Sequence, residues 1–486
     1  MTEHEGLYAA FKAKDLRFDG RFFVGISSTG IYCRPVCRAK QSKAENCTFY
    51  ASAAEAERAG YRPCLLCRPE LAPAVSGGAA LAQRAAGLLE EHCGSGFSLE
   101  ELAKQLGCTG RHLRRAFAAE YRVTPVEYLQ TCRLLLAKRL LTDTKLSVLE
   151  VAMTAGFGSL RRFNELFRRR YHLSPTALRK KLPTGAPADW RITLSLRYRP
   201  PYRYEELLRF LDGRTIPGVE LVEDGAYWRT VRLVDGRGRE LFGWLRVTHQ
   251  PEQSALAVMV SESLLPVLPQ VLVRVRQLFD LYCDPMAVHE ALAPMNELRS
   301  DLCMPGTRLP GCFDAFEMAV RAILGQQITV KAARTLAARL VSSYGRTVET
   351  DHPSLTCVFP APEELLVLPA PMEERLGSLG VLAARSRAIE QLAKGLFEGH
   401  LKLDHRAKPE EEMKKLTAIP GIGSWTAGYI AMRTMGWTDA FLETDAGIKK
   451  ALPGRTAKEL LGLAEPWRPW RSYATISLWN SLYESV

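Results

Sequence analysis

The chain has 486 residues, of which 47% are hydrophobic and 24% are charged. This length predicts three or four domains, and the hydrophobic content is sufficient for ordinary cores. The sequence has no apolar run of about 18 residues, so we expect no membrane-spanning segment. Residues 1–10 lack the basic and apolar regions of a secretory signal. These features predict a cytoplasmic protein that associates with the nucleoid and has no membrane partner.

The positive charge of the chain is concentrated in its first third. The net charge is +12, and residues 1–182 contain 29 Lys or Arg and 17 Asp or Glu, whereas the remainder contains 36 of each kind. A basic first third predicts electrostatic DNA binding, although basic side chains that only solubilise the surface are the alternative. The neutral remainder predicts tighter and more local phosphate contacts.

Three breaks divide the sequence. Leu71–Gly78 and Pro183–Asp189 are rich in small residues and proline, which is typical of linkers. Cys283–Pro285 is a weaker break, where a strand-like sequence gives way to a helical one. We therefore expect a multidomain protein that is mainly α with α+β parts. The predicted domains are 1–76, 81–182, 191–283 and 284–486.

Four of the twelve cysteines form two pairs. Cys33 and Cys37 are the first pair, and Cys64 and Cys67 follow about 30 residues later. In a cytosolic chain, metal binding or catalysis is expected rather than disulfides. Four thiolates at these spacings predict one closed tetrahedral Zn²⁺ site, and from the spacing alone a purely structural zinc is favoured. The other cysteines are interpreted as ordinary buried residues: Cys47, Cys93, Cys108, Cys132, Cys283, Cys303, Cys312 and Cys357.

The segments around both pairs, Gly30–Lys40 and Gly60–Glu70, resemble the N-terminal domain of the Ada adaptive-response family. The resemblance implies that the four cysteines bind one zinc, and that Cys33 accepts a methyl group from a methylphosphotriester in DNA, stoichiometrically and irreversibly. Zinc would keep the thiol deprotonated at neutral pH. Methylation would remove one negative charge from the site, and the weaker repulsion of phosphates would strengthen DNA binding.

Two helix–turn–helix patterns follow the cysteine pairs. Each has a first helix, a turn containing glycine and a second polar helix: Leu99–Gly107 with Arg111–Phe117, and Val148–Phe157 with Ser159–Asn164. A long helix at about 124–141 is predicted between them. Together with the closing Leu173–Thr176, these segments resemble the AraC-type DNA-binding domain. The resemblance implies promoter DNA and RNA polymerase as partners.

The second helix of each pattern has an apolar face and a polar face. The residues expected to face the cores are Leu113, Phe117, Phe163 and Phe167. The residues expected to face a major groove are Arg111, Arg114, Arg115, Arg161, Arg162 and Asn164. Arg168–Arg170 are expected to contact phosphates or solvent rather than base edges. The alternative is a helical bundle whose arginines are only solvated.

Residues 191–283 alternate between strand and helix patterns. The predicted strands are 191–198, 227–233 and 256–260, with a hairpin turn at Asp235–Gly238. The predicted helices are at about 203–212 and 262–281. From residue 286 onward, the sequence predicts helices that are broken by proline and glycine turns.

The segment Pro420–Ala427 predicts a helix–hairpin–helix. Its glycine-rich turn lets the backbone approach a phosphate, so Gly421 and Gly423 are candidate contacts to a DNA backbone. Two carboxylates, Asp439 and Asp445, follow at short range. A hairpin that grips DNA and a nearby carboxylate are what base-excision chemistry requires.

Three stretches closely resemble the AlkA-type 3-methyladenine DNA glycosylases of the helix–hairpin–helix superfamily: Leu309–Gln327, Pro420–Arg433 and Pro469–Ala474. The resemblance covers about 191–486. It implies that Asp445, twenty positions after Trp425, is the catalytic carboxylate, whereas Asp439 is interpreted as a helix cap or a surface charge. Lyase members of the superfamily carry lysine at the position of Trp425, so a monofunctional hydrolase is predicted.

The expected reaction follows from charge. An alkylated purine that has been flipped out of the duplex is cationic and already a good leaving group. As the glycosidic bond breaks, positive charge moves to the sugar, where Asp445 would stabilise it and orient the attacking water. By resemblance, Trp425, Tyr429 and Trp479 form the wall of the base pocket and offer stacking and cation–π attraction. Core packing is the alternative role of each aromatic residue.

Two positions depart from the pattern of this family. Asn480 follows the last pocket tryptophan, where a tyrosine is usual, and Gln327 stands where an apolar residue would intercalate. Gln327 or Ile328 is therefore the candidate wedge. The candidate ligands of a monovalent cation, by resemblance, are the hairpin carbonyls of Thr417, Ile419 and Ile422.

The sequence therefore predicts a DNA alkylation repair protein that also regulates transcription. It would excise purines of the 3-methyladenine type from double-stranded DNA, accept methyl groups on Cys33 and bind promoters. The Pro-Cys-His-Arg motif of O6-alkylguanine transferases is absent, so that activity is not predicted. One alternative is a transcription regulator whose rear half binds DNA without catalysis. A second is a glycosylase whose front half only targets it to DNA.

Overall fold

The computed structural model describes residues 3–73, 81–95, 98–180, 192–367, 371–404 and 407–483. The predicted linker Pro183–Asp189 lies outside these ranges, as does most of the predicted linker Leu71–Gly78. Two compact units are present. One comprises Met1–Arg199, Arg232–Gly243 and Gln250–Val273, and the other comprises Pro200–Val231, Trp244–His249 and Arg274–Val486. Within the described ranges, no helix combines the length and apolar character needed to cross a bilayer.

The first unit begins with a small sheet and two helices: α1 (Glu3–Ala13), β1 (Phe23–Ile26), β2 (Ile31–Cys33), β3 (Cys47–Tyr50), α2 (Ala53–Arg58) and β4 (Arg62–Pro63). The strand order is β3-β1-β2-β4. β1 pairs antiparallel with β2 and β3, and β2 pairs in parallel with β4. All four residues of β1 are buried, so this strand is the centre of the small core. The sequence did not predict these short strands.

Helices follow in the same unit: α3 (Leu81–Glu91), α4 (Leu99–Gln105), α5 (Gly110–Tyr121), α6 (Pro125–Asp143), α7 (Val148–Thr154), α8 (Leu160–Tyr171) and α9 (Pro175–Lys180). Capping boxes begin α4, α6 and α7, which explains where these helices start. The turn residues Gly107 and Gly156 have φ of +67° and +82°, a conformation that favours glycine. The two predicted helix–turn–helix pairs and the long helix between them are confirmed.

A five-stranded sheet has the order β5-β9-β8-β7-β6. Its strands are β5 (Ile192–Arg197), β6 (Glu220–Glu223), β7 (Ala226–Val234), β8 (Glu240–Gln250) and β9 (Ala255–Val260). β5 alternates between buried and half-buried residues and pairs antiparallel with β9, with Ile192 opposite Val260. β6 pairs antiparallel with β7. The three predicted strands and the hairpin are confirmed, and β6 and β8, the second strand of the hairpin, are additions.

The two helices predicted for this region are α10 (Tyr204–Asp212) and α11 (Leu268–Leu278). A 3-10 turn at Glu262–Val267, which contains Pro266, occupies the first part of the second predicted helix. Proline lacks the N–H that an α-helix requires at that point, which explains the change of helix type.

The rest of the second unit is helical: α12 (Pro285–Leu292), α13 (Ala315–Leu324), α14 (Val330–Tyr344), α15 (Pro362–Leu366), α16 (Met372–Gly377), α17 (Ala383–Phe397), α18 (Pro409–Thr417), α19 (Ser424–Thr434), α20 (Ala446–Ala451), α21 (Ala457–Ala464) and α22 (Arg471–Asn480). A two-stranded sheet of β10 (Arg346–Thr347) and β11 (Cys357–Val358) interrupts the helices. Nearly every residue of α19 and α22 is buried, so these two helices are central to the unit.

The cysteines outside the two pairs are only partly as predicted. Four are buried, namely Cys47, Cys93, Cys283 and Cys303, whereas four are partly exposed, namely Cys108, Cys132, Cys312 and Cys357.

Candidate active site and zinc centre

The turn between α18 and α19 is a tight, glycine-containing hairpin with an exposed backbone. Gly421 has φ of +94°, and the N–H of Ile422 donates to the carbonyl of Ile419 at 3.0 Å. Gly421 and Gly423 are exposed, and Gly423 is the N-cap of α19. The first N–H groups of a helix have no partner within it, so this exposed helix start can receive an anion.

Asp445 is the N-cap of α20, and its carboxylate accepts three N–H groups. Oδ1 accepts the backbone N–H of Ile448 at 3.0 Å and the indole N–H of Trp479 at 2.8 Å. Oδ2 accepts the indole N–H of Trp425 at 3.2 Å. The residue is half-buried. Because donors hold both oxygens, the carboxylate has one fixed orientation at the wall of the site.

The three aromatic residues predicted to line a base pocket lie together. Trp425 and Tyr429, one turn apart on α19, are stacked with ring centroids 5.3 Å apart and an interplanar angle of 16°. The ring of Trp479 on α22 lies 6.2 Å from that of Tyr429 at 60°. The two tryptophans therefore belong to one aromatic cluster and both donate to Asp445.

Sequence reasoning missed two residues of this cluster, Phe210 and Arg214. Phe210 on α10 stacks on Trp479, with centroids 6.2 Å apart at 14°. The guanidinium of Arg214 lies 3.7 Å from the centroid of the Phe210 ring. The signal for Phe210 was weak, because an aromatic residue on an amphipathic helix usually packs in a core. Arg214 had no signal in the sequence.

Tyr429 is surrounded by cations. The buried Arg433 donates to the phenol oxygen of Tyr429 at 2.6 Å, and also to the carbonyls of Pro310 and Gly311 at 2.6 and 2.9 Å. Burial alone would raise the pKa of Tyr429, but the guanidinium of Arg433, together with Arg214 and its neighbours, outweighs it and lowers that pKa. The phenol oxygen is therefore held in place as a buried acceptor of Arg433.

A network of buried ion pairs supports the segment that carries Arg214. Arg321 pairs with Glu220 at 3.0 Å and with Glu317 at 2.9 Å, and Arg229 pairs with Glu317 at 2.8 Å. Arg321 also donates to the carbonyl of Arg214. The network thereby fixes the backbone of Arg214, whose guanidinium lies against the ring of Phe210.

Gly447 allows the close approach of Trp479 to the carboxylate. A Cβ at this position would lie 2.9 Å from Cδ1 of Trp479 and 3.0 Å from Oδ1 of Asp445. Real Cβ atoms do not approach other atoms so closely, so any larger residue would push the indole away. The sequence did not mark this glycine, because its neighbours are a helix and not a turn.

The residues near the hairpin differ in their surroundings. Gln327 is exposed with φ of +53°, and Ile328 is half-buried. The side-chain amide of Gln326 donates to the carbonyl of Gly421 at 2.8 Å and to Oγ1 of Thr426 at 3.1 Å. The segment that carries the two wedge candidates is therefore tied to the hairpin.

Asn480 and Asp439 have structural partners. The amide of Asn480 donates to a carboxylate oxygen of Glu206 at 3.1 Å. Asp439 accepts from Nε of Arg471 at 2.7 Å and forms an ion pair with Arg468. Asp439 is not the N-cap of a described helix, and two arginines hold it as a partly exposed charge.

In the first unit, the four predicted ligand cysteines lie together. The Sγ atoms of Cys33, Cys37, Cys64 and Cys67 all lie within 4.8 Å of one another. Zn–S bonds of about 2.3 Å place sulfurs roughly 3.8 Å apart, so the cluster fits a tetrahedral Zn²⁺ after little movement.

The loop around the cysteines is held by its own polar contacts. The backbone N–H of Arg34 donates to Sγ of Cys67 at 3.4 Å, a contact that suits a thiolate ligand. The buried side chain of Arg34 pairs with Asp19 and donates to the carbonyl of Cys67 at 3.2 Å. Cys33 is 6% exposed. Cys67 is the most exposed of the four cysteines.

The two predicted recognition helices have the expected faces. Leu113, Phe117, Phe163 and Phe167 are fully buried. The predicted groove-facing residues are Arg111, Arg114, Arg115, Arg161 and Arg162, which are exposed, and Asn164, which is half-buried. Arg168 and Arg169 are exposed as well. For Arg170 the prediction is wrong, because its guanidinium donates to the carbonyl of Glu57 at 2.8 Å.

Comparisons with known proteins agree with this arrangement. The chain matches the family models for the metal binding domain of Ada over residues 6–70, a helix-turn-helix domain over 102–181 and the AlkA N-terminal domain over 193–314. The first match, together with the four clustered cysteines, supports zinc as the bound metal. The other two agree with the helix–turn–helix pairs and with the α/β region.

Individual relatives cover both halves of the chain. A probable bifunctional transcriptional activator/DNA repair enzyme AlkA of Mycobacterium tuberculosis is 36% identical over 100% of this chain and 97% of its own length. The DNA-3-methyladenine glycosylase 2 of Escherichia coli is 39% identical over 59% of this chain and 96% of its own length. The solved 3-methyladenine DNA-glycosylase of Archaeoglobus fulgidus has a similar fold, with a TM-score of 0.50 and 22% identity over 60% of this chain and 98% of its own. Because the first relative is matched over nearly its full length, the chain belongs to the family of bifunctional transcriptional activator/DNA repair enzymes of the AlkA type.

Proposed function

We propose that the second unit excises alkylated purines of the 3-methyladenine type from double-stranded DNA by hydrolysis. The observation that carries this proposal is the carboxylate of Asp445, which is held by two indole N–H groups at an aromatic wall. The likeness to named glycosylases supports the same reaction. The chain is thus a DNA repair enzyme whose front part regulates transcription.

The chemistry uses the aromatic wall and the carboxylate in turn. A flipped purine that carries an extra methyl group is cationic, and the faces of Trp425, Tyr429 and Trp479 attract a cation. When the bond between C1′ and the base nitrogen breaks, its electron pair leaves with the base, and the sugar becomes positively charged. Asp445 stabilises this charge and orients the water whose oxygen bonds to C1′. Its fixed orientation means that the carboxylate need not reorganise during the reaction.

The enzyme acts without a covalent amine intermediate. In the lyase members that it resembles, a lysine stands at the position of Trp425. Here the indole N–H of Trp425 donates to Asp445 instead, and an indole cannot form a Schiff base. A hydrolase that releases the free base and leaves an abasic site is therefore the proposed activity.

The hairpin and its neighbours hold the DNA. Gly421 and Gly423 bring backbone N–H groups to a phosphate. Gln327, at an exposed position next to the hairpin, enters the gap that the flipped base leaves, and Ile328 is the second candidate for that role. The carbonyls that would bind a monovalent cation belong to the same turn, namely Thr417, Ile419 and Ile422.

The first unit accepts a methyl group from a methylphosphotriester. Sγ of Cys33 bonds to the methyl carbon as the bond from that carbon to the phosphate oxygen breaks, so the negative charge moves from sulfur to phosphate. A bound Zn²⁺ supplies the thiolate at neutral pH. The thioether product does not react further, so each chain takes one methyl group. Peptide mapping of the methylated protein distinguishes Cys33 from the more exposed Cys67.

Regulation follows from the two helix–turn–helix pairs. The exposed arginines of α5 and α8 contact promoter DNA, and RNA polymerase is the proposed partner at the promoter. We place the protein in the cytoplasm, associated with the nucleoid, and propose 1–76, 81–182, 191–283 and 284–486 as its domains.

The test of the glycosylase is release of free base from methylated duplex DNA. Wild type should release 3-methyladenine, and Asp445→Asn should not, although it keeps its fold and its duplex affinity. Glu443→Gln, a nearby carboxyl-to-amide change, should behave as wild type. If well-folded wild type released no base, the second unit would be a DNA-binding part of a regulator.

The methyl acceptor is tested with a duplex that carries labelled methylphosphotriesters. Wild type should take up label with a limit of one methyl per chain, and Cys33→Ser should take up none. Uptake by Cys33→Ser equal to that of wild type would refute the assignment of the acceptor.

A further inference from the structure

A buried carboxylate, Glu57 on α2, joins the small sheet of the first unit to the helices that follow. Glu57 is 2% exposed. Its Oε1 accepts the phenol O–H groups of Tyr32 at 3.2 Å and Tyr171 at 3.3 Å. Its Oε2 accepts the hydroxyl of Thr131 at 3.2 Å. We call these four residues the Glu57 hub. It connects α2 with β2, α6 and α8.

The Glu57 hub is connected on one side to Cys33 and on the other side to α8. Tyr32 directly precedes Cys33, and its carbonyl accepts the backbone N–H of Cys64 at 3.0 Å. On the other side, Tyr171 is the last residue of α8, the helix that presents Arg161 and Arg162. One hydrogen-bonded carboxylate therefore separates the zinc centre from the second recognition helix.

Stability alone does not account for a carboxyl group at this point. An apolar side chain of similar size would pack there without the cost of removing a carboxyl group from water. Burial raises the pKa of Glu57 to about 7, against the opposing effects of Arg170 and the hydroxyl donors. The carboxyl group instead fixes the positions of α2, β2, α6 and α8 relative to one another, because a buried network in which every group is hydrogen-bonded permits few arrangements.

A methyl group on Cys33 adds volume at the end of β2, because Cys33 is the last residue of that strand. Cys33 is almost buried, and Tyr32 is paired with Gly25 in β1 and with Pro63 in β4. A closely packed interior accommodates an added methyl group only by displacement of its neighbours. The hydroxyl of Tyr32 donates to Oε1 of Glu57, and the same oxygen accepts the hydroxyl of Tyr171. Displacement of β2 therefore changes the hydrogen bond of Tyr32 to this shared oxygen.

We propose that Glu57 is a positioning residue that couples the methylation of Cys33 to the second recognition helix, α8. This inference rests on the proposed methyl-acceptor function. It differs from the relief of phosphate repulsion, because contact through a buried network does not depend on salt. Methylation would thus change α8 even when no DNA is present.

The experiment uses full-length zinc-loaded protein and a duplex with methylphosphotriesters, which is removed after the reaction. Intact mass and peptide mapping measure methyl uptake on Cys33. Hydrogen exchange of the α8 peptide is then compared before and after methylation in wild type, Tyr171→Phe, Glu57→Gln and Tyr8→Phe. The Tyr8 hydroxyl donates to the carbonyl of Ser42, outside the hub, so this variant is the matched control.

Methylation of wild type should change α8 exchange by roughly 2- to 30-fold, the range of typical coupling energies. Tyr8→Phe should respond in the same way, and so should Glu57→Gln, whose amide oxygen can accept both phenols while its N–H group donates to Thr131. Tyr171→Phe should take up methyl at the wild-type rate but lose the response in α8.

The two proposals fail in different ways. Methyl uptake by wild type with unchanged α8 exchange would overturn the coupling alone, as would an equal response in Tyr171→Phe. Absence of methyl uptake in wild type would overturn the acceptor function and the coupling with it. The zinc content of each variant reports whether its small sheet has folded.

Discussion

Replacement of Glu57 by glutamine is expected to remove a pH dependence from the stability of the first unit. Burial raises the pKa of Glu57 from 4.5 to about 7 in the folded protein. Because the folded pKa lies above the unfolded one, the stability from the neutral carboxyl group is fully present below about pH 4.5. That stability is lost as the pH rises through 7. The free energy of unfolding of wild type should therefore decrease from acidic to alkaline pH, relative to that of a variant with no titratable group at position 57.

The size of the effect follows from the two pKa values. A shift of roughly 2.5 units corresponds to about 3.4 kcal/mol over the full titration. Between pH 6 and pH 8.5, the same linkage gives a loss of about 1.4 kcal/mol in wild type, a factor of about ten. Glutamine keeps the shape and the hydrogen bonds of the neutral carboxyl group. The stability of Glu57→Gln relative to that of wild type should therefore increase by this amount over the same pH range.

Hydrogen exchange measured by mass spectrometry resolves the effect, because peptides from α2, α6 and α8 report on the first unit separately. Wild type and variant are compared at each pH with zinc present, so that intrinsic exchange and metal affinity cancel. The ratio of protection factors, variant over wild type, should rise about tenfold from pH 6 to pH 8.5. Glu45→Gln, at a side chain that is 71% exposed, should give a constant ratio. A constant or falling ratio for Glu57→Gln would show that the pKa of Glu57 is not raised in the folded protein.

Further predictions concern the active site, the metal and the buried charges. Trp479→Phe removes one N–H donor from Asp445, so single-turnover base release should fall about 10- to 100-fold, whereas Trp470→Phe should be unaffected. Metal analysis should find one zinc per chain, and Cys37→Ser should lose it together with exchange protection of the small sheet. Arg321→Gln leaves Arg229 as the one cation that pairs with both Glu220 and Glu317, so one buried negative charge is uncompensated. The free energy of unfolding of the second unit should fall by about 3–5 kcal/mol, measured by tryptophan fluorescence in urea.

Each of these has a contrary outcome. Wild-type rates in Trp479→Phe would mean that the indole bond does not position the carboxylate. Full zinc occupancy in Cys37→Ser would remove that residue from the ligand set. An unchanged urea midpoint for Arg321→Gln would show that the ion pairs are compensated by water.

Long-range periodicity and capping made much of the fold predictable from sequence. The helix–turn–helix pairs follow from turn glycines, such as Gly107 and Gly156, and from Ser or Thr caps at the helix starts. The strands of the small sheet were not predictable, because each has only two to four residues, which are too few to show a clear alternation. The same reason applies to the pair β10 and β11.

The site was predictable where chemistry and spacing coincide. The two cysteine pairs and the distance from Trp425 to Asp445 are short-range patterns that a sequence displays directly. Phe210 lies more than 200 residues before Asp445, and only folding brings it onto Trp479. Glu57 sits in an alanine-rich helix, where a glutamate ordinarily marks a solvated face. Its burial results from α6 and α8, which follow much later in the chain.

The glycine next to the carboxylate of Asp445 also has a consequence for engineering. Glycine inside a helix is less stable than alanine by roughly 1 kcal/mol, so Gly447 weakens α20. A screen that selects only for thermal resistance would favour alanine there, yet the added Cβ would meet the indole of Trp479. At position 447, a substitution that raises thermal stability is therefore expected to lower enzymatic activity. Stabilised versions of this enzyme should be sought at sites remote from α20.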